Sequence, residues 1–242
     1  YQTEALQDEK VREAIAMGID KEGFTSVLLD GNGTAAAGPF PSSFAFGDDT
    51  VIAPGYDPEK ARELLEEAGW TDTDGNGYVD KNGKDLTLRW LTYPSRQELP
   101  LLAESVQSTL GDIGIKVEVN STANHLDVLQ RGDWDIYASA FVCAPTGDPE
   151  YFFTTHCLDS STHNRGGYHS DRLEELEAQM STTFDAEERD SLAVEMTQTI
   201  LDDNAFIFAS HLRMSIVSGE GVTGLEAHPC DYYEITVDLD KN

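Results

Sequence analysis

Two stretches of the chain gather side chains able to bind something. The first is residues 72–83, DTDGNGYVDKNG. Asp72, Asp74 and Asn76 stand at the first, third and fifth positions of a calcium-loop pattern. Gly77 supplies the turn at the sixth, Tyr78 a backbone carbonyl at the seventh, and Asp80 a carboxylate at the ninth. Hard oxygen donors at this spacing suit Ca²⁺. The twelfth position, where a bidentate glutamate is expected, is Gly83, so two oxygens are lost and affinity should be modest. Two readings stay open: a structural Ca²⁺ site stiffening a helix-to-strand connection, or an Asp/Asn/Gly turn that holds no ion.

The second stretch is the Tyr-, Phe- and His-rich segment 143–169. Five of the six histidines, His156, His163, His169, His211 and His228, lie between residues 156 and 228. Imidazole suits borderline metals such as Ni²⁺. No His-x₃-His pair and no HExxH occurs, so no complete protein-built metal centre is visible. His163 and His156 read either as ligand contacts or as solvated loop histidines, and His211, in an apolar strand, as a core residue. Arg165 is notable among only 16 Lys and Arg. A guanidinium can clamp a ligand carboxylate through two parallel hydrogen bonds, or pair with surface acids. Tyr151, Phe152 and Phe153 divide between a cleft and the core, and Trp134 and Ile136 are assigned to core. Cys143, Cys157 and Cys230 form no Cys-x-x-Cys pair and read as small half-buried hydrophobes.

Charge excludes several partners. Against those 16 cations stand 45 Asp and Glu, a formal net charge of −29. Such a field repels nucleic acid and anionic lipid. The acids are dispersed rather than clustered, which reads as adaptation to concentrated salt, where the Debye length falls to about 3 Å and repulsion is screened. No run reaches the ~18 apolar residues of a membrane span. The chain opens at Tyr1 rather than Met, so a missing signal segment says nothing of location. No G-x-S-x-G, G-x-G-x-x-G or P-loop is present, and the paired acids Glu66-Glu67 and Glu187-Glu188 fall on solvated helix faces. An enzyme is not expected.

The elements that must position these residues alternate between helix and strand, an α/β pattern with a mixed sheet and flanking helices. Residues 8–19 space Val11, Ile15 and Ile19 as one helical face, and Asp20 caps a second helix ending at Gly31. Residues 31–56 form a long Gly/Pro/Ser/Ala loop. Asp57-Pro58 opens a clear helix that stops at Gly69, with Trp70 packing under it. Strand 85–93, helix 98–114, strand 115–121 and a short helix at 124–131 follow. The apolar run WDIYASAFV (134–142) is the best candidate for a central strand. After the irregular 143–169 come helices at 170–182 and from Asp185, where Glu188 completes a capping-box spacing. A strand pair or bent strand at 204–218 and a last strand in YYEITVDLD end the chain.

Taken in order, KVREAIAMGIDKEGF, YDPEKARELLEEAGW, GIKVEV, RGDWDIYASAF, GDPEYFF and FDAEERDSLAVEMTQTILDDNAFI cover the chain from about Asp8 to Asp240. This combination resembles the family 5 solute-binding proteins of ABC importers, which carry peptides and nickel chelates. The resemblance implies a periplasmic-binding-protein-like fold (type II, cluster C) whose two lobes close on ligand like a hinge. Residues 1–242 then match the C-terminal lobe, with 8–218 as the lobe proper and 219–242 as a return segment; the N-terminal lobe lies outside them. It also implies an extracellular or cell-surface receptor, membrane-anchored as a lipoprotein at full length, delivering to a membrane permease. Dipeptide-binding members place an aspartate just before the Gly-Asp-Pro segment, where this chain has Pro145. That departure, with APTGDPEYFFTTH, points to the nickel and metallophore branch, where a histidine contacts the transported chelate. His163, then His156, matches that histidine; Arg165, Tyr151, Phe141, Cys143 and Tyr232 complete the implied ligand set. No resident cofactor is required. An oligopeptide ligand is the alternative, and an acidic calcium-binding structural module the alternative of another class.

Overall fold

Side-chain caps open five of the helices in this computed structural model, which describes residues 3–226 and 235–241. After the single turn α1 (Glu4–Gln7), the Asp8 carboxylate accepts from Lys10 N and opens α2 (Glu9–Met17). Asp20 accepts from Gly23 N at 2.7 Å and opens α3 (Lys21–Gly23). The second helix does not run on as α: it widens into a π turn over Phe24–Leu28 and ends where Asp30 and Gly31 take positive φ, 50° and 71°. The loop that follows is ordered. It forms β1 (Gly33–Ala35) and a 3₁₀ turn (Asp48–Thr50), and it buries Phe40 and Phe46. Asp57 then caps α4 (Pro58–Glu67) through Lys60 N, with Leu64 and Leu65 inward and Gly69 at φ 82° ending it.

A small hairpin, β2 (Asp80–Lys81) with β3 (Lys84–Asp85), leads into β4 (Thr87–Thr92). Helix α5 (Glu98–Asp112) returns the chain to β5 (Lys116–Ser121), and α6 (His125–Arg131) returns it to β6 (Ile136–Tyr137). The three strands form one parallel sheet in the order β5-β4-β6. The central strand is therefore β4, not the apolar run 134–142. Of that run only Ile136 and Tyr137 pair, at an edge, and Trp134 is half-buried rather than core. The cause is Asp135: its carboxylate takes Arg89 N and two guanidinium nitrogens at 2.8–3.0 Å, fixing the strand's start by side-chain bonds. Beyond Tyr137 the extended chain is held by single contacts from β4 instead of a ladder.

The segment 143–169 is not wholly irregular: it contains α7 (Glu150–His156). Then come α8 (Asp171–Met180) and α9 (Ala186–Asp202), the latter capped by Asp185 through Glu188 N at 3.1 Å. Of residues 204–218 only β7 (Ser210–Leu212) is strand, and it pairs antiparallel with β1. β8 (Val222–Thr223) pairs with β9 (Asp240–Lys241), so among the described residues only Asp240 of the expected last strand is paired, the stretch 227–234 lying outside them. Parallel and antiparallel pairings thus coexist in separate ladders. No described helix is long and apolar enough to cross a membrane.

Two cores result. Leu65, Leu88, Val106, Leu110 and Ile115 lie in the first, between α2, α4, α5 and the parallel sheet. Phe40, Phe152, Phe153, Leu176, Met196 and Ile200 lie in the second, built by α7, α8, α9 and the ordered loop. Its aromatic rings meet edge-on, Phe40 against Phe46 at 4.8 Å between centroids.

Candidate ligand-binding site

Two ring clusters follow one another from the C-terminal end of the parallel sheet, where open α/β sheets place their ligands. Tyr93 follows β4 directly. His125 opens α6 and stacks on it, centroids 4.3 Å apart. Tyr137, at the end of β6, lies 6.1 Å from His125. Four residues on, the exposed Phe141 stacks on His156, at the end of α7, at 4.1 Å. His163 comes within 5.5 Å of His156. Arg165, exposed, acts electrostatically on both His156 and Tyr137 and has no carboxylate at ion-pair distance among the described residues.

This belt is tied down on both sides. Thr92 Oγ1 donates to Ala138 O at 3.0 Å and Ala140 N donates to Tyr93 Oη at 3.1 Å, so the extended chain after β6 follows β4 closely. Asp135 is almost fully buried and also accepts from Thr3 Oγ1. Burial alone would raise its pKa, but the bonds from Arg89 and Thr3 hold it below the usual carboxylate value. On the other side, Arg189 of α9 reaches Asp148 (2.8 Å) and Glu150 (2.7 Å), and donates to Met180 O and Thr183 O. The Gly-Asp-Pro segment is thereby a structural clamp: Asp148 and Glu150 seat α7, and α7 carries His156.

Electrostatics keep the His156 imidazole neutral. Burial, then His163 and Arg165, lowers the His156 pKa to about 4, so its nitrogen lone pair is free at neutral pH. Burial first, then Tyr93, pushes Tyr137 up to about 12, against the opposing pull of Arg165 and a hydrogen bond with Ser139.

Of the residues expected at the site, the fold brings together His156, His163, Arg165 and Phe141. Tyr151 is exposed on α7 and makes no ring contact with the belt. Cys143 packs half-buried against the second core, as a small hydrophobe, and burial lifts its thiol to about 12. Cys157 is buried in the same core, and both are free thiols. Tyr232, His228 and Cys230 lie outside the described residues. His211 sits in β7 with Nε2 3.0 Å from Asp48, and His169 lies between Asp159 and Asp171 on the surface. Tyr93, His125 and Tyr137 were not singled out by sequence. For Tyr137 the available signal was the alternation Asp135, Tyr137, Ser139, opposite Ile136 and Ala138; for Tyr93 it was its place just after a strand.

The calcium-like loop is separate. One oxygen each from Asp72, Asp74 and Asp80 lies within 4.8 Å of the others. Asp72 also accepts from Gly75 N and Gly77 N, and Asp80 from Thr73 N and Oγ1, which lowers the Asp80 pKa. Asn76 departs from the pattern. Its Oδ1 accepts from Tyr78 N and its Nδ2 donates to Asp74 and Asp85, so its side chain serves the loop's own bonding.

The chain resembles proteins of known role along nearly its full length. The family model "Bacterial extracellular solute-binding proteins, family 5 Middle" matches residues 1–164. The oligopeptide-binding protein AppA of Bacillus subtilis is 27% identical over 241 residues, covering 96% of this chain and 44% of that protein. The nickel-binding protein NikA of Staphylococcus aureus is 26% identical over 192 residues, covering 79% and 37%. Among solved structures, AppA with a nonapeptide superposes with a TM-score of 0.79 at 23% identity over 94% of this chain and 46% of that one. S. aureus NikA with Ni(L-His)₂ gives 0.77 at 22% over 93% and 46%. The chain therefore spans less than half the length of these relatives. Each is a binding or transport protein rather than an enzyme. From the family match and the shared fold, the chain belongs to the bacterial extracellular solute-binding proteins of family 5.

Proposed function

We propose that this chain is the C-terminal ligand-closing lobe of an ABC importer's receptor, and that its ligand is a transition-metal chelate, with nickel as the leading metal. The observation that carries the reading is the His156–His163 pair, 5.5 Å apart, beside Arg165. A neutral imidazole donates to borderline metals, and a guanidinium with no carboxylate at ion-pair distance among the described residues matches the carboxylates that chelating amino acids bring. Loaded receptor would present its closed form to a membrane permease, with a lipid anchor keeping it at the cell surface.

An oligopeptide ligand is the second reading, favoured by the likeness to AppA, whose solved structure holds a nonapeptide. Isothermal titration of the full-length receptor separates the two. Ni²⁺ with L-histidine should bind in the micromolar range or tighter, and His163→Ala should weaken it at least tenfold. Tight binding of peptides with no uptake of the chelate would sink the first reading. Because half of the pocket would come from the rest of the receptor, the 242-residue chain alone should bind far more weakly.

Two further properties are part of the proposal. The 72–80 loop holds a structural Ca²⁺, supported by the convergence of its three carboxylates. The dispersed acidic surface adapts the protein to concentrated salt, supported by the −29 charge.

A further inference from the structure

Three rings near the proposed chelate site have no role in either core. Tyr93, His125 and Tyr137 are each half-buried, and none belongs to the first or the second apolar cluster. Their ring partners are one another and Trp134: Tyr93–His125 at 4.3 Å, His125–Tyr137 at 6.1 Å, Tyr93–Tyr137 at 6.4 Å and Trp134–Tyr137 at 6.4 Å. Such a stack leaves part of each ring to solvent at the end of a parallel sheet, a costly place for four rings unless something covers them.

Their chemistry differs from that of the imidazole pair. His125 Nδ1 is buried and has no hydrogen-bond partner among the described residues. A buried N–H without an acceptor costs more than a bare ring nitrogen, so the proton sits on Nε2. His125 then offers a donor and a ring face, not a metal-binding lone pair on its outer nitrogen. Tyr137 and Phe141 are four residues apart on extended chain, roughly 13 Å at ~3.3 Å per residue. Two ring clusters about that far apart, with Arg165 acting on both, form one elongated wall.

We infer that Tyr137, backed by Tyr93 and His125, is a specificity-determining platform for a flat unsaturated ring of the ligand, separate from the His156–His163 end. The inference rests on the proposed function for the location of the site, but not for the ligand being a chelate. Stacking on a rigid, pre-stacked ring discriminates a ligand bearing an imidazole or phenyl group from an aliphatic one of the same charge.

The test uses the full-length receptor and two matched pairs of probes: Ni²⁺ with L-histidine against Ni²⁺ with glycine, and a Phe-containing tripeptide against its Ala counterpart. The parent should prefer the ring-bearing member of at least one pair. Tyr137→Leu, which keeps bulk but removes the ring, should weaken that member on the order of tenfold and the aliphatic member by less than about twofold. Tyr137→Phe should behave as the parent, which also certifies that the position tolerates substitution. If neither chelate binds but the peptide pair does, the chelate reading falls and the platform is judged on the peptides alone. A parent without ring preference in either pair overturns the inference, as does a Tyr137→Leu effect equal on both members.

Discussion

His156 and His169 are both imidazoles on loop or helix ends, yet their surroundings drive them in opposite directions. His156 is pushed down to about 4 by burial and by His163 and Arg165, whereas hydrogen bonding and attraction to Asp159 raise His169 above its ordinary 6.5. Proton NMR titration should therefore find the His156 ring transition near pH 4 and that of His169 above 6.5. The sign for stability follows. Below 6.5 the unfolded chain protonates His156 while the folded chain does not, so this residue's contribution is intact above 6.5 and is lost as pH falls toward 4. His169 contributes below 6.5 and ceases to do so as pH rises through its raised transition. A His156 that titrates at 6.5 in the intact receptor would contradict the buried, stacked ring. In the acidic loop, Asp72→Ala with Asp74→Ala should abolish any calcium-dependent rise in melting temperature. Equal melting of parent and variant with and without millimolar Ca²⁺ would leave the loop as a hydrogen-bonded turn only.

At the scale of elements, α7 depends on a residue remote in sequence. Arg189 is mostly buried and bridges two acids at the start of α7 to the end of α8. Arg189→Met should cost on the order of 2–3 kcal/mol by urea titration, since charged hydrogen bonds to carbonyls and carboxylates are lost together. It should also weaken chelate binding without touching the ligand, because His156 and His163 lose their fixed spacing. Unchanged binding in a folded Arg189→Met receptor would show that α7 seats itself. The same dependence explains why sequence missed this helix. EYFFTTH is short and rich in aromatic and β-branched residues of low helix propensity, and its stabilising partner lies about 40 residues downstream. The helices opened by Asp57 and Asp185 were legible because their caps are local. Strand β6 was over-read: alternation announces extended chain, but not how many neighbours it pairs with. His163 and His156 could be picked by type and position, while His125 was invisible because only the fold brings it to Tyr93.

For the whole molecule, the proposed salt adaptation makes a testable claim about the charge imbalance. With 45 acids against 16 cations, repulsion grows as salt is removed, since the Debye length lengthens from about 3 Å at molar salt to about 10 Å at 0.1 M. The melting temperature should rise steadily from 0.1 M to 3 M KCl, and more than for a variant with several exposed acids neutralised, such as Glu175→Gln, Glu187→Gln and Glu188→Gln. A flat salt profile would remove the adaptation reading and leave the acids as a solubility device.

The two cores adjoin along the ring belt, the short β1–β7 ladder and the bonds from Arg12 of α2 to Asp203 O after α9, and this bears on dynamics. Tyr93 and Tyr137 ride on the sheet of one core; His156 rides on α7 of the other. Such a seam divides a chain into cooperative units that open separately. A molecule bound across the belt is then a staple, raising the free energy of opening along the seam itself. Amide hydrogen exchange should slow first at residues 138–142 and 154–163 on loading, leaving the interiors of α4 and α9 as they were.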